Sequence, residues 1–303
     1  MKHIYLTLLG AMFMTTAFAQ QVDESGMVLD SMIVTDADGV RNSLEAYEYN
    51  SDKKVTVISY YSYYANPAGQ LASREVTTYD AQGRMVKDEE YSYTNGVPTL
   101  IYLTDYADYD SEGRPTTAIS QEVDDENPAA GLQLSEKTVI KGYYGNTMGM
   151  VDADFYIYEE GQWEKQGSVH CDYNNDGTMS KMTYSIIFLG FPFNMVTTYE
   201  YDSHKNTTKE VTTSDFSDPS TVTYENEYAD GLLKKSKATE TTEYGSTVSY
   251  NYYFWGTGNS ANLTPATLAK KISRYYDLGG RVYEGTPNGK GLFILNGKKV
   301  LKK

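Results

Sequence analysis

One short turn motif, Tyr-Asp-x-x-Gly, recurs along this chain and constrains its fold more than any other feature. It is complete at Tyr79–Gly83 and again 30 positions later at Tyr109–Gly113, and it carries Asn in place of Asp at Tyr173–Gly177. Partial copies lie at Tyr49-Asn50, Tyr144-Gly145-Asn146, Tyr201-Asp202 and Tyr228-x-Asp230-Gly231. An Asp or Asn side chain can cap its own turn, and Gly supplies a residue with φ > 0. The motif therefore predicts that one two-stranded hairpin is the repeating unit.

Other turn signals fall between these copies, so that a turn recurs about every 13–16 residues, with one longer gap. This spacing leaves room for strands of roughly 8–11 residues in a long up-and-down meander. The 30 tyrosines, 29 of which follow residue 19, favour strands as well. About fifteen strands exceed what an open sheet usually holds. We therefore predict an all-β fold, either a closed or flattened barrel or two packed sheets.

Alternation within the strands supports this prediction. In the segment 220–228, one face carries Val222, Tyr224, Asn226 and Tyr228, and the other carries Thr221, Thr223, Glu225 and Glu227. In 246–254, Val248, Tyr250, Tyr252 and Phe254 line up in the same way. One aromatic face and one polar face indicate a sheet that is solvated on one side.

The N-terminus reads as an export signal. A short basic start is followed by an apolar run over residues 4–16 and by Ala17-Phe18-Ala19, which predicts cleavage before Gln20. The run is too short for a transmembrane anchor, and no cysteine stands at the cleavage site for lipid attachment. We expect residues 1–19 to be removed and 284 residues to remain.

The mature chain is strongly acidic. Its formal charge changes from −15 to −16 when the leader, with its one lysine, is removed. Such a surface disfavours nucleic acid and anionic lipid as partners. An outer-membrane barrel is a further alternative, but polar faces such as 234–244 carry Lys, Glu and Thr where lipid-facing strands need apolar residues. The chain also ends on Lys302-Lys303 and not on an aromatic residue.

The composition changes after Trp255. We assign residues 20–256 to the β-meander domain, 257–269 to a linker and 270–303 to a small β tail. Two short strands are predicted at Ile272–Asp277 and Gly291–Leu295, followed by a basic strand. This tail is the one net-positive stretch of the sequence.

Two resemblances add to this reading. The tail is similar to the C-terminal sorting segments of proteins handled by type IX secretion, through Tyr276-Asp277-x-x-Gly280-Arg281-Val282, Gly289-x-Gly291-x-Phe293-Ile294 and Asn296-Gly297-Lys298-Lys299-Val300. The body resembles secreted tyrosine-aspartate (Rhs-like) repeat proteins and families of unknown function with porin-like folds, through its Y-D-x-x-G turns. The resemblances imply a compartment, a fold and the secretion machinery as a partner of the tail. They imply no activity.

Residues that could carry chemistry are few. His170 and Cys171 are adjacent, so on a strand they point to opposite faces and cannot form a nucleophile–base pair. His204 lies in a predicted turn. Acidic pairs such as Asp152 with Asp154 and Glu159 with Glu160 are expected by chance in a chain with 41 carboxylates. We therefore predict no enzyme, no catalytic residue and no cofactor.

The segment Asp172-x-Asn174-x-Asp176-Gly177 matches the first half of a calcium loop. The twelfth position, where such a loop needs a bidentate acid, is Thr183. The segment also aligns with the other Tyr-Asp turns, which lack its acidic ladder. We interpret it as a hairpin turn and expect neither a metal site nor any effect of calcium on stability.

Two features remain as candidate binding elements. Trp163 and Trp255 are candidate ligand-binding residues, because flat aromatic rings beside polar groups stack on sugars. The segment 185–196 is the most apolar stretch after the leader. It predicts a buried loop that plugs a barrel end or sheet edge, with a hydrophobic contact site for a partner or a membrane surface as the alternative.

The sequence thus favours an exported, non-enzymatic β-scaffold of the cell envelope, periplasm, outer cell surface or extracellular space, which acts by binding. The partner would be a glycan or an envelope protein. The alternative function is a carbohydrate-binding or carbohydrate-processing accessory protein.

Overall fold

The chain forms a closed barrel of sixteen antiparallel strands, followed by a separate four-stranded sheet. A computed structural model describes residues 26–124, 127–188 and 190–258, together with the strand segments 274–277, 282–284, 291–295 and 298–302. The predicted signal peptide lies outside the described residues, as does most of the predicted linker. In the barrel each strand pairs with its sequence neighbours, and β1 closes the sheet on β16. The predicted meander is confirmed, and of the predicted alternatives the closed barrel is the one found.

The barrel strands have lengths of 8 to 13 residues. They are β1 (Val28–Asp36), β2 (Arg41–Tyr49), β3 (Val55–Ser62), β4 (Gln70–Tyr79), β5 (Met85–Thr94), β6 (Val97–Tyr109), β7 (Pro115–Val123), β8 (Leu132–Tyr143), β9 (Met150–Glu159), β10 (Gln162–Tyr173), β11 (Met179–Phe188), β12 (Phe191–Tyr201), β13 (Thr207–Ser214), β14 (Ser220–Ala229), β15 (Leu232–Thr242) and β16 (Gly245–Gly256). A single 3₁₀ turn, Pro128–Ala130, interrupts the connection between β7 and β8.

The C-terminal sheet contains four short strands in the order β18-β17-β19-β20. They are β17 (Arg274–Asp277), β18 (Val282–Glu284), β19 (Gly291–Leu295) and β20 (Lys298–Lys302). The sequence analysis does not predict strand β18. The strand has only three residues and follows two glycines, so its alternation of apolar and polar residues is too short to recognise.

The Tyr-Asp turns all lie at one end of the barrel, because each joins an even-numbered strand to the next odd-numbered one. In the turn after β4, Oδ1 of Asp80 accepts hydrogen bonds from the backbone N–H groups of Gln82 and Arg84, both at 2.9 Å. Gly83 then adopts φ = +75°. Asp110, Asn50 and Asp202 accept the equivalent pair of bonds in their own turns. We call this end of the barrel the Tyr-Asp rim.

A tyrosine clamps two strands together in six of the seven turns, whereas in the turn after β14 Tyr228 donates to the side chain of Asp202. Each clamp hydroxyl donates to the carbonyl of the first or second residue of the preceding strand. The bonds are Tyr49 to Leu29 (2.7 Å), Tyr79 to Val55 (3.0 Å), Tyr109 to Met85 (2.8 Å), Tyr143 to Pro115, Tyr173 to Met150 (2.9 Å) and Tyr201 to Met179 (2.7 Å). This regularity explains why tyrosine, and not phenylalanine, recurs before the Asp or Asn.

Basic residues connect one Tyr-Asp turn to the next. The guanidinium carbon of Arg84 lies 4.4 Å from the ring centroid of Tyr109, and that of Arg114 lies 4.5 Å from the ring centroid of Tyr143. Arg84 and Arg114 also bridge to the Asp of their own turns, with nitrogen–oxygen distances of 2.7 Å. Each arginine therefore ties the cap of one turn to the tyrosine of the following hairpin.

The interior of the barrel is divided into regions of different chemistry. One apolar cluster lies across β8–β11 and comprises Ile140, Met150, Ala153, Val169, Cys171 and Tyr184. Leu29, Tyr47 and Ile58 form a second inward cluster on β1–β3. Between them, strands β2–β6 direct carboxylates and tyrosines inward. The outward face is mostly charged or polar.

Strand β16 departs from the expected polarity. Tyr250 and Tyr252 do share a face, but they pair with Lys237 and Lys235 on β15, whose ammonium groups bridge to glutamates on the outward side. The aromatic face of β16 thus points outward, opposite to that of β14. Alternation identifies which residues share a face but does not fix which face is inside.

The clamp can be tested at Tyr79. Tyr79→Phe keeps the ring but removes the 3.0 Å bond to the Val55 carbonyl, so we expect the free energy of unfolding to fall by about 0.5–1.5 kcal/mol in urea titrations. Tyr64→Phe is the matched control, because Tyr64 is 95% exposed in a loop. Equal stability of the two variants would contradict the clamp.

Candidate functional site

The barrel interior contains a group of carboxylates that we call the luminal acid array: Glu45, Glu75, Asp88 and Glu90. Strand register places Glu75 directly opposite Glu90, and Thr77 opposite Asp88, on the inward face of β4 and β5. Glu45 faces Tyr60 across β2 and β3. Like charges directly opposite each other in a sheet repel, so this arrangement favours protonated carboxyl groups.

Tyrosines surround the array. The hydroxyl of Tyr106 donates to Oδ2 of Asp88 at 2.5 Å, and the hydroxyl of Tyr47 donates to Glu45 at 2.6 Å. Tyr102 lies opposite Glu90 on β6. Hydroxyl donors stabilise the charged form of a carboxylate, whereas burial and neighbouring acids oppose it.

Burial dominates at Glu75. Loss of hydration, followed by the charges of Asp88, Glu90 and Glu45, raises its pKa to about 7. Burial also raises the pKa of Asp88 and Glu90 above the usual range. Further round the barrel, burial and the charge of Glu122 raise the pKa of Glu136 to about 7. The interior therefore changes charge near neutral pH.

Sequence reasoning missed the array. The spacing Glu45-x-Tyr47-x-Tyr49 places one member of the array on the same face as two tyrosines. Glu75, Asp88 and Glu90 have no tyrosine at this spacing, and Glu89-x-Tyr91, which has it, points outward. An acidic residue on a strand is ordinarily assigned to the solvent face, so no local pattern identifies the array.

The two residues considered as a nucleophile and a base are separated, as predicted. Cys171 is buried in the interior cluster, and burial raises the pKa of its thiol to about 12. His170 points outward, where its Nδ1 lies 2.7 Å from Asp152 and its Nε2 lies 3.2 Å from Asp172. His204 stacks on Tyr228 with ring centroids 4.2 Å apart. These contacts are those of surface and turn residues.

The half calcium loop forms a hairpin turn of the repeat. The backbone N–H of Asn174 donates the closing bond to the Thr178 carbonyl at 2.7 Å, and the N–H of Gly177 donates to the Asn174 carbonyl. Asp176 accepts from both the N–H and the hydroxyl of Thr178. Within the described ranges, no group of three or more His, Cys, Asp or Glu side chains is placed to hold a metal ion.

The two tryptophans differ in their surroundings. The indole N–H of Trp255 donates to the Leu233 carbonyl at 2.7 Å, the same kind of bond that the clamp tyrosines make. Trp163 lies on the outward face opposite Tyr158, with ring centroids 4.9 Å apart. The ammonium of Lys137 lies 5.1 Å from the Trp163 ring and 4.5 Å from that of Tyr156. Trp163 thus belongs to an outward aromatic group, whereas Trp255 fastens the end of β16.

The apolar segment 185–196 is not the buried plug that the sequence predicts. Ile187 is 50% exposed and Phe191 is 67% exposed at the tip joining β11 and β12. Phe193 stacks on Phe216 of the β13–β14 loop at 5.4 Å, with the rings nearly parallel. We call Ile187, Phe191, Phe193 and Phe216 the apolar patch. Phe191 and Phe216 face solvent, whereas Phe193 is half-buried.

Hydrogen bonds hold the two halves of the apolar patch together. Oδ2 of Asp215 accepts from the backbone N–H of Asn194 at 2.8 Å and from its side-chain amide at 3.0 Å. The N–H of Asp215 donates to the Asn194 carbonyl at 3.1 Å. The stacked pair Phe193–Phe216 is therefore fixed in place rather than borne on independent loops.

Exposed apolar side chains are concentrated at this end of the barrel. Among the described residues, the strongly exposed large hydrophobics in or near the connections at the end opposite the Tyr-Asp rim are Val40, Tyr64, Val97, Leu134, Ile187, Phe191, Phe216 and Tyr244. Met148 is the corresponding residue on the Tyr-Asp rim. The two ends of the barrel thus differ in chemistry.

The outward wall carries paired charges at mid-strand. Asp154 on β9 lies 2.7 Å from the ammonium of Lys141 and 2.8 Å from that of Lys165. Comparable pairs join β14 to β15. Charged residues on a lipid-facing wall are costly near the middle of a bilayer, so this wall is suited to water.

In the part of the chain that the structure describes, no helix is both long and apolar enough to cross a membrane.

No protein-family model and no curated protein matches this chain. Solved structures similar to it include a porin-like protein from Bacteroides uniformis, 13% identical over 75% of this chain and 96% of that one, with a TM-score of 0.45. A porin-like protein from Bacteroides vulgatus is 8% identical over 75% and 98% of the two chains, with a TM-score of 0.37. TcdB2-TccC3 without its hypervariable C-terminal region is 10% identical over 88% of this chain and 15% of that one, with a TM-score of 0.31. At these values the similarities carry no information about activity.

The raised pKa of Glu75 predicts a pH-dependent effect of Glu75→Gln. Above pH 7 the wild-type carboxylate is charged in the folded and unfolded states but is penalised only in the folded one. The substitution should therefore raise the free energy of unfolding by about 1–3 kcal/mol at pH 8. Near pH 4.5 the folded wild type is protonated, and the gain should shrink to a few tenths of a kcal/mol.

Urea titrations from pH 4.5 to 8 measure this effect. Glu243→Gln is the control, because Glu243 lies exposed in the β15–β16 turn, and its effect should be small and flat with pH. A gain from Glu75→Gln that does not depend on pH would contradict the assignment of a raised pKa.

Proposed function

We propose that this protein is an exported, non-enzymatic β-scaffold that acts at the cell envelope by binding, with the apolar patch as its contact surface. The observation that carries the proposal is the solvent exposure of Ile187, Phe191 and Phe216 at one end of an otherwise acidic protein, with Phe216 held in place by its stack on the half-buried Phe193. Soluble proteins rarely expose large apolar side chains together unless these make contacts. The signal sequence supports export.

The architecture supports a scaffold. Clamps and cation–π contacts repeat along the Tyr-Asp rim, so that end is built for rigidity. The opposite end carries the exposed apolar residues on hairpin tips. A rigid frame that presents a fixed contact surface suits recognition, because little conformational freedom is lost on binding.

The test is retention of the mature protein in the envelope fraction of the cells that produce it. Phe191→Ser with Phe216→Ser removes the most exposed rings of the patch and should shift the protein several-fold towards the soluble fraction. Met148→Ser is the matched control, since Met148 is an exposed apolar residue on the Tyr-Asp rim. Unchanged retention of the double variant, with an unchanged melting temperature, would exclude the patch as the contact surface.

A carbohydrate-binding role is the second candidate, favoured by the outward group of Tyr156, Tyr158 and Trp163 beside Lys137. Flat aromatic faces next to a polar donor are the arrangement that stacks on sugar rings. The group lies on β9 and β10, at the same end of the barrel as the apolar patch. Within this second candidate function, Trp163 is proposed as a sugar-binding residue, as the sequence predicts.

Binding of the mature protein to a glycan panel tests this role. Trp163→Ala should reduce binding at least tenfold if the group holds the sugar. Tyr244→Ala, in another hairpin at the same end, should leave binding unchanged because Tyr244 lies outside the group. No binding by the folded wild type would exclude the carbohydrate role while leaving the scaffold proposal in place.

A further inference from the structure

The outward face of β16, β1, β2 and β3 differs from the rest of the barrel wall. It carries the cluster Ile33, Leu44, Tyr63 and Tyr252, flanked by Tyr61, Tyr250 and Phe254. Strand register places Leu44 between Ile33 and Tyr61, and Ile33 between Leu44 and Tyr252, so these residues share the outward face. We call this surface the aromatic face.

The aromatic face is buried although it points out of the barrel. Ile33 and Leu44 are 0% exposed, and Tyr252 is 8% exposed. Small outward residues of the same strands are also covered, since Ser31 is 0% and Ser59 8% exposed. Elsewhere on the wall, outward residues such as Lys181 and Glu225 are exposed. Long neighbours can bury a single outward residue, as Lys141 and Lys165 do at Asp154. A run of buried outward residues that includes small side chains such as Ser31 and Ser59 is better accounted for by a further layer over this face.

From this we infer that the aromatic face is an internal docking surface, which the C-terminal four-stranded sheet, β17–β20, occupies. Chain connectivity is the first argument. Strand β16 both contributes to the face and ends at Gly256, and β17 begins at Arg274. The intervening residues 257–273 can span up to roughly 60 Å, which is ample to return the chain to the same wall.

The chemistry of the tail is the second argument. Strand β19 reads Gly-Leu-Phe-Ile-Leu, a continuous apolar run typical of a strand covered on both faces. It is also an interior strand of its sheet. Four strands laid on the four strands of the aromatic face make a sheet-on-sheet layer that buries apolar residues of both. The basic tail and the acidic barrel also attract each other.

The docking surface is separate from the apolar patch, which lies on β11–β14. The proposed function would therefore stand if the tail did not dock on the aromatic face. Docking of the tail would likewise stand if the apolar patch bound no partner. Its meaning for the protein is that the barrel holds its own C-terminal sheet on one wall while the patch stays free to bind.

Lysine cross-linking of the intact mature chain, residues 20–303, tests the inference. At low protein concentration, a reagent with a short spacer should join tail lysines such as Lys298 and Lys302 to Lys235 and Lys237, which border the aromatic face. Links from the tail to Lys181 and Lys209, on β11 and β13, should be at least tenfold fewer. Links to both pairs in equal yield, or none to Lys235 and Lys237, would overturn the inference.

A pair of double variants separates docking from general folding. Tyr61→Ser with Tyr250→Ser removes rings from the margin of the aromatic face and should reduce the cross-links to Lys235 and Lys237 at least fivefold. Tyr91→Ser with Tyr156→Ser removes half-buried outward rings from other strands and should leave them unchanged. Circular dichroism melting confirms that both barrels are folded, and an equal loss of cross-links in both variants would contradict specific docking.

Tyrosine nitration tests whether the aromatic face is covered in the folded chain of residues 20–303. Tyr252 should be at least tenfold less reactive than the exposed Tyr64, because the tail covers it. Nitration of Tyr252 at the rate of Tyr64 would overturn the inference.

Discussion

The structure depends on closing a sheet of sixteen strands without an exposed edge. An open sheet of this size twists, and its terminal strands present unpaired backbone groups. Here β1 and β16 pair over Val28–Asp36, so no edge remains in the barrel. The hydroxyl–carbonyl bonds at the Tyr-Asp rim then fix β2, β4, β6, β8, β10 and β12 each against the preceding strand at one end. Because the clamp is local, six successive hairpins use it, which accounts for six of the 30 tyrosines.

The barrel distributes its charges in an unusual way. Salt bridges such as Lys141–Asp154–Lys165 lie outside, while Glu75 and Glu90 face each other inside. The inward acids weaken the folded state above neutral pH, because carboxylates opposite each other repel and lose hydration. Tyrosine hydroxyls offset part of this cost at Asp88 and Glu45. The same residue type thus clamps the rim and supplies hydrogen-bond donors to the interior.

The sequence predicts the repeat, the strand lengths and the all-β meander well, because turn chemistry is local. Asp80 and Gly83 need only their immediate neighbours to define a turn. Closure into a barrel, rather than two packed sheets, depends on the pairing of β1 with β16, which no local pattern encodes. The exposure of Phe191 and the inward orientation of Glu75 also depend on the wall around them. Barrel closure, the exposure of Phe191 and the orientation of Glu75 can therefore be identified only from the three-dimensional structure.

The aromatic face shows why alternation alone misleads. Tyr250 and Tyr252 follow the same two-residue period as Tyr224 on β14, yet they point to the opposite side of the wall. Apolar residues at every second position indicate only that one face of the strand is covered. They do not show which part of the protein covers that face. On β14 the cover is the barrel interior. On β16 the inferred cover is a second layer outside the barrel, and the apolar strand β19, joined to β16 through residues 257–290 of the same chain, has the composition to provide it.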